Sequence, residues 1–186
     1  SAAERAPGVR PPGKHALLAE GHPGRTTPAA PPALLAFVLI TLPALRRGLA
    51  ALSRAGADFA VMSCISAHYF LPRLVPRSPL PVLSLIDETV AAIIKMKPVP
   101  RKIGLLGTDG TVRSGIFARV FEAAGIAVLT PSSRDQARLT TAIYGQKGIK
   151  AGFAQGPPRE AVLEVARGLV RRGAEAVVAG CTEIPL

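Results

Sequence analysis

The sequence has no tryptophan, and only two cysteines and two methionines in 186 residues. Aromatics make up 4% and apolar residues 48%, so the core must be built from Ala, Leu, Val and Ile. Two cysteines do not make a disulfide framework. With three histidines and no Cys-x-x-Cys or His-x-x-x-His spacing, they present no recognisable zinc site either. Acidic residues are scarce, 12 against 23 Lys and Arg, for a net charge of +11. The excess is spread along the chain, +5 over residues 1–54 and +6 over the rest, with no run of five or six basic residues. That spread argues against a dense nucleic-acid patch and suits a surface attracting small anions. Long apolar runs are missing too. "ALLAFVLI", Ala33 to Ile40, with Thr41 and Leu42 after it, falls far short of the ~20 residues of a membrane span.

Residues 1–32 hold seven Pro and four Gly and no apolar periodicity, which predicts irregular chain. Order begins near Ala33. "ALRRGLAALSRAG" spaces Leu45, Leu49 and Leu52 as a helix stopped at Gly56, and "DFAVMSC" follows as a short buried strand. Further on, strands are predicted at Leu80–Asp87, in "RKIGLLG", in "IAVLT" and in "AEAVVAGC". Helices are predicted in "ETVAAIIKMK", "TVRSGIFARVFEAAG", "RDQARLTTAIYGQ" and "PREAVLEVARGLVRRG". Alternating strands and helices on short loops predict an α/β fold with mostly parallel sheets flanked by helices. Ligands of such sheets sit at the carboxyl ends of strands, where this reading places both cysteines.

A repeat singles out those cysteines. "LRRGLAALSRAGADFAVMSC" and "VLEVARGLVRRGAEAVVAGC" each run helix, Gly, Ala, acid, apolar strand, Cys, at a constant offset of 117. Gly56 and Gly173 each stand eight residues before a cysteine, Ala57 matches Ala174, and Asp58 matches Glu175. Two similar lobes facing each other bring Cys64 and Cys181 to one cleft. There, one thiolate can remove a proton from carbon while a thiol on the other face returns one.

Four stretches resemble the aspartate/glutamate racemase superfamily, its aspartate racemase branch most closely. They are "GADFAVMSCISAHYF", "KIGLLGTDGTVRSGIF", "AIYGQKGIKAG" and "RGAEAVVAGCTEIPL", covering roughly Gly56 to Leu186. The resemblance implies two pseudo-symmetric lobes, 33–97 with Cys64 and 98–186 with Cys181, after the Pro/Gly/Arg-rich segment 1–32. It implies a cofactor-independent isomerase, free of pyridoxal phosphate, that racemises aspartate or glutamate in the cytoplasm, with a homodimer as the assembly to be expected. Cys64 and Cys181 map to the acid/base thiols, and Ser66, Thr111 and Thr182 to residues near the substrate carboxylate. Lys150 maps to a lysine that holds the distal acidic group. Glu183 is left to tune Cys181, to bind the substrate ammonium or to cap a helix, and His68 to orient Cys64 or to serve the core. A free thiol has a pKa of about 8.5, and a helix N-terminus after each cysteine, "ISAHYF" and "TEIPL", is expected to lower it.

Departures from the family pattern keep other readings open. Ile65 stands where the family has Asn, and the family's N-terminal strand is not visible, which leaves the first lobe incomplete. For the distal-carboxylate arginine, Lys14 and Arg25 are poor candidates. The chain starts at Ser1 with an Arg-rich, acid-poor opening that resembles a transit peptide, and it reads as processed or as a fragment. The alternatives are an inactive or truncated racemase-like binder of acidic ligands, or a maleate isomerase or hydantoin racemase on the same scaffold.

Overall fold

A computed structural model describes residues 32–185, with side chains from Ile40 onward. The irregular segment expected over 1–32, except Pro32, and Lys14, Arg25 and Leu186 lie outside the described residues.

Helix α1 (Pro32–Arg54) is longer than the sequence pattern predicts and runs through Pro43, which removes one internal hydrogen bond. Leu42, Leu45 and Leu49 hold it against Phe70, Leu71 and Leu74, whereas Leu52 is exposed. Strand β1 (Ala60–Val61) is far shorter than the predicted "DFAVMSC". A 3-10 turn (Ile65–Phe70) and α2 (Leu71–Leu74) follow. The predicted strand over Leu80–Asp87 is overturned: β2 is only Val82–Leu83, and α3 already spans Leu85–Ile94. Ser84 starts α3 early, its hydroxyl accepting from the Asp87 amide at 3.2 Å while Asp87 and Glu88 fill the first turn.

After β3 (Lys102–Leu106), the single helix expected from Thr111 to Gly125 is two, α4 (Asp109–Ser114) and α5 (Ile116–Ala123). They break at Gly115, where φ is +63°. Strand β4 (Ala127–Leu129), α6 (Ser133–Tyr144), a 3-10 turn (Ile149–Ala151), α7 (Pro157–Arg171) and β5 (Ala176–Ala179) complete the order.

The strands form two parallel sheets. β1 pairs with β2, Ala60 opposite Val82. β3 is central in the other, with β4 on one side and β5 on the other. Side chains alternate along β3. Ile103 and Leu105 pack with Val90 of α3 and Phe117 and Phe121 of α5; Leu106 packs with Leu139 of α6 and Val165 and Leu169 of α7. The result is the expected α/β fold with parallel sheets flanked by helices.

The repeat has a counterpart in backbone geometry. Ala57 N–H donates to Leu52 O at 3.1 Å, and Ala174 N–H to Leu169 O at 3.1 Å. Gly56 donates to Ser53 O at 3.0 Å and Gly173 to Val170 O at 2.9 Å, with φ of +82° and +93° at the two glycines. Each pair closes the same helix-ending motif, whose left-handed position glycine occupies without strain. Beyond the strands, Ala67 N–H meets Cys64 O and Ile184 N–H meets Cys181 O, both at 3.1 Å. Every partner shifts by the same offset of 117 as the sequence match.

Candidate active site

β1 and β5 each end shortly before a cysteine, and both cysteines line one pocket. It encloses about 180 Å³ and is lined by Cys64 and Cys181 with Ser63, Ser66, Thr108 and Thr182. Ile65, Tyr144, Lys150, Gly180 and Glu183 complete the wall. A larger groove of about 580 Å³ opens between α6 and α7, but no cysteine or carboxylate lines it. Volume alone would favour that groove; both cysteines are in the smaller one, well below the ~300–1,000 Å³ of drug-sized pockets. Both cysteines are free thiols, Cys64 exposed and Cys181 buried.

Gly180 lets β5 end close to β3. A Cβ there would sit 2.6 Å from Leu105 Cδ1 and 3.1 Å from Leu106 O. Cys181 is thereby packed against the core of α6 and α7. Its Sγ donates to Glu183 Oε2 at 2.8 Å, and Thr182 Oγ1 donates to the same oxygen at 3.2 Å. Lys150 Nζ lies 3.2 Å from Glu183 Oε1 and 5.1 Å from the centre of the Tyr144 ring, a cation–π contact.

The electrostatics correct one expectation. Among the described residues, those after Cys181, 182–185, form turns rather than a helix. Burial, and then the hydrogen bond to Glu183, push the Cys181 thiol up to about 11. The bond from Cys181 holds the Glu183 carboxyl below its usual range, and the bond to Glu183 raises the Lys150 ammonium. Cys181 is thereby held as a thiol at neutral pH, and its thiolate would be a strong base. Alkylation of Cys181 by iodoacetamide, followed by peptide mass mapping, is expected to have its midpoint near pH 11. Glu183→Gln should move that midpoint down, because it removes a carboxylate that disfavours the thiolate; an unmoved midpoint would show that Glu183 does not govern the thiol.

A triangle of hydroxyls joins the 3-10 turn after Cys64 to the start of α4. Ser66 Oγ is 3.0 Å from Thr111 Oγ1 and 3.2 Å from Thr108 Oγ1, and the two threonines are 3.1 Å apart. Thr111 is 1% exposed and does not line the pocket. Of these two threonines the one lining the cavity is Thr108, the cap of α4, just beyond the carboxyl end of β3. Both ring nitrogens of His68 bond to backbone groups. Fully buried, its Nδ1–H donates to the Cys64 carbonyl at 3.0 Å and its Nε2 accepts from the Leu85 amide at 3.0 Å.

Of the seven residues singled out from the sequence, Cys64, Ser66, Lys150, Cys181, Thr182 and Glu183 line the pocket, and Thr111 stands behind Ser66. Thr108, Tyr144 and Ser63 were missed. Thr108 and Tyr144 fall inside the motifs that carried Thr111 and Lys150, one at the cap position of a helix and the other at a helix end, and those positions were the available signal. Among the described residues, no cluster of three or more His, Cys, Asp or Glu is placed to hold a metal. No described helix is long and apolar enough to cross a membrane.

Parallel α/β sheets thus bring two free thiols, each just beyond a strand, to one small pocket shared with Glu183 and with Lys150 of the 3-10 turn after α6. The chain belongs to the Asp/Glu/Hydantoin racemase family, which matches residues 3–186. It is 32% identical over 145 residues to a glutamate racemase of Deinococcus radiodurans, 75% of this chain and 46% of that protein. It resembles the structure of an aspartate racemase of Picrophilus torridus, with 27% identity and a TM-score of 0.63 over 77% of this chain and 57% of that one. An aspartate racemase homologue of Pyrococcus horikoshii gives 26% identity and a TM-score of 0.65, over 77% and 62%. The chain spans about half the length of the curated relatives it matches.

Proposed function

We propose that this chain is an amino-acid racemase acting on aspartate or glutamate without pyridoxal phosphate, by proton transfer between Cys64 and Cys181 at Cα. The observation that carries the reading is the presence of two free thiols on one pocket of substrate-like size. One thiolate takes the α-proton and the opposite thiol returns one, inverting the carbon. In this reading the hydroxyls of Ser63, Ser66, Thr108 and Thr182, all lining the pocket, hold the α-carboxylate, on which negative charge builds as the proton leaves. Thr111 positions Ser66 and Thr108 from behind. Lys150 supplies the cation for the distal carboxylate. Cytoplasmic residence, two lobes divided near residue 97 and pairing of two copies belong to the same proposal.

The test is incubation with L-aspartate, and separately L-glutamate, in deuterated water. Loss of the α-proton signal in the NMR spectrum, with the D-isomer appearing on chiral chromatography, is expected; neither sign with either substrate sinks the reading. A second reading, a binder of acidic ligands without turnover, is favoured by Ile65, an apolar side chain in the pocket wall where the family pattern has Asn. Calorimetric binding of aspartate without exchange would decide for it. A panel with maleate and hydantoins separates the remaining scaffold relatives.

A further inference from the structure

Among the residues lining the pocket there is one cation and one carboxylate, Lys150 and Glu183, and they pair with each other. An α-amino dicarboxylate carries two carboxylates and one ammonium. The hydroxyls can take one carboxylate; for the other, Lys150 is the lining residue with a matching charge. Drawing Lys150 away strips the partner from Glu183 Oε1, while Oε2 keeps its bonds from Cys181 and Thr182. The Glu183 side chain is 24% exposed, so a ligand that fills the pocket also shuts out much of the water that would replace the lysine. Lys150 is 44% exposed, with room to turn, and Tyr144 keeps its ammonium against the wall as it does so.

We infer that the Lys150–Glu183 ion pair is an exchangeable plug, split by the ligand: the distal carboxylate takes Lys150 and the α-ammonium takes the vacated oxygen of Glu183. This rests on the racemase reading and adds to it a reason for substrate choice. A dicarboxylate without an ammonium opens the same pair but leaves a carboxylate oxygen unmet. Glu183 is then a specificity-determining residue that rejects succinate-like acids.

Isothermal calorimetry on the full chain tests this with L-aspartate and succinate. The wild-type chain is expected to bind aspartate at least about tenfold more tightly than succinate, the low end of the cost of an unmet charged group. Glu183→Gln should bring the two within about threefold, because the amide no longer needs a cation. Lys150→Met should weaken both ligands by about tenfold and leave their ratio in place. An unchanged ratio in Glu183→Gln, equal binding of both acids by the wild type, or no binding of aspartate overturns the inference. The Lys150→Met result stands independently if Glu183→Gln melts early. Proton exchange is read separately: the expected ratios without exchange remove the racemase reading alone, and exchange with an unchanged ratio removes the plug alone.

Discussion

Replacing Cys181 with alanine is expected to lower α-proton exchange on the proposed substrate by about 10²–10⁴-fold, the usual contribution of a positioned acid or base. Cys64→Ala should fall as far. Each turnover needs a base on one face and an acid on the other, so losing either thiol stops both directions. The bond from Cys181 to Glu183 makes the first case sharper. Bonded to Glu183, the Cys181 thiol is pushed up to about 11, and bulk water is a poor substitute for it because it has no fixed direction towards Cα. The isotope pattern adds an independent check. In deuterated water at early times, the product enantiomer should carry deuterium while recovered substrate keeps its proton, because the two thiols hold separate protons. Equal labelling of both enantiomers, or more than a tenth of wild-type exchange left in Cys181→Ala, would overturn the two-thiol scheme.

The largest expected loss of stability lies just behind the site. His68→Leu deprives the Cys64 carbonyl and the Leu85 amide of their buried partner, at ~1–3 kcal/mol each, so roughly 2–6 kcal/mol in all. His68→Gln, whose amide oxygen can still accept from Leu85, should recover part of this. Urea denaturation with an unchanged slope is the measurement, and a loss under 0.5 kcal/mol, roughly the scale of an ordinary surface change, would contradict it. The same residue makes stability pH-dependent. Burial lowers the His68 pKa below its usual 6.5, against smaller opposing effects of the Cys64 and Ile65 backbone and Asp87. The unfolded chain therefore takes up a proton at a pH where the folded chain does not. Stability is full above about pH 6.5 and falls as the pH drops below it, at up to ~1.4 kcal/mol per unit, until the folded imidazole also protonates. In His68→Gln this contribution should vanish.

Much of this was legible in the sequence, and the reasons are local. Alternating apolar runs gave the strand and helix order, and the Gly-Ala-acid spacing gave a duplicated unit whose turn hydrogen bonds are indeed paired. What escaped was set by contacts distant in sequence. Strand lengths depend on pairing, so "DFAVMSC" retained only two ladder residues. The start of α3 was readable in the Ser84–Asp87 cap, but the run of apolar residues around it looked like a strand. The rise of the Cys181 pKa could not be read, because it needs burial under α6 and α7 and a glutamate folded back onto the sulfur. Thr108 and Thr111 differ in which of them faces the cavity, and only the turn of a six-residue helix decides it.

The two sheets also differ in depth. β1 and β2 share two residue pairs, whereas β3 is held over three pairs on one side and four on the other. Backbone amides at Ala60–Val61 and Val82–Leu83 should accordingly trade their hydrogens with solvent long before those of Ile103–Leu106. Mild warming would slacken the anchorage of Cys64 while Cys181 still rode on an intact sheet. Heat would thus let one sulfur of the proposed pair drift, at temperatures where most of the helix content still registered as native.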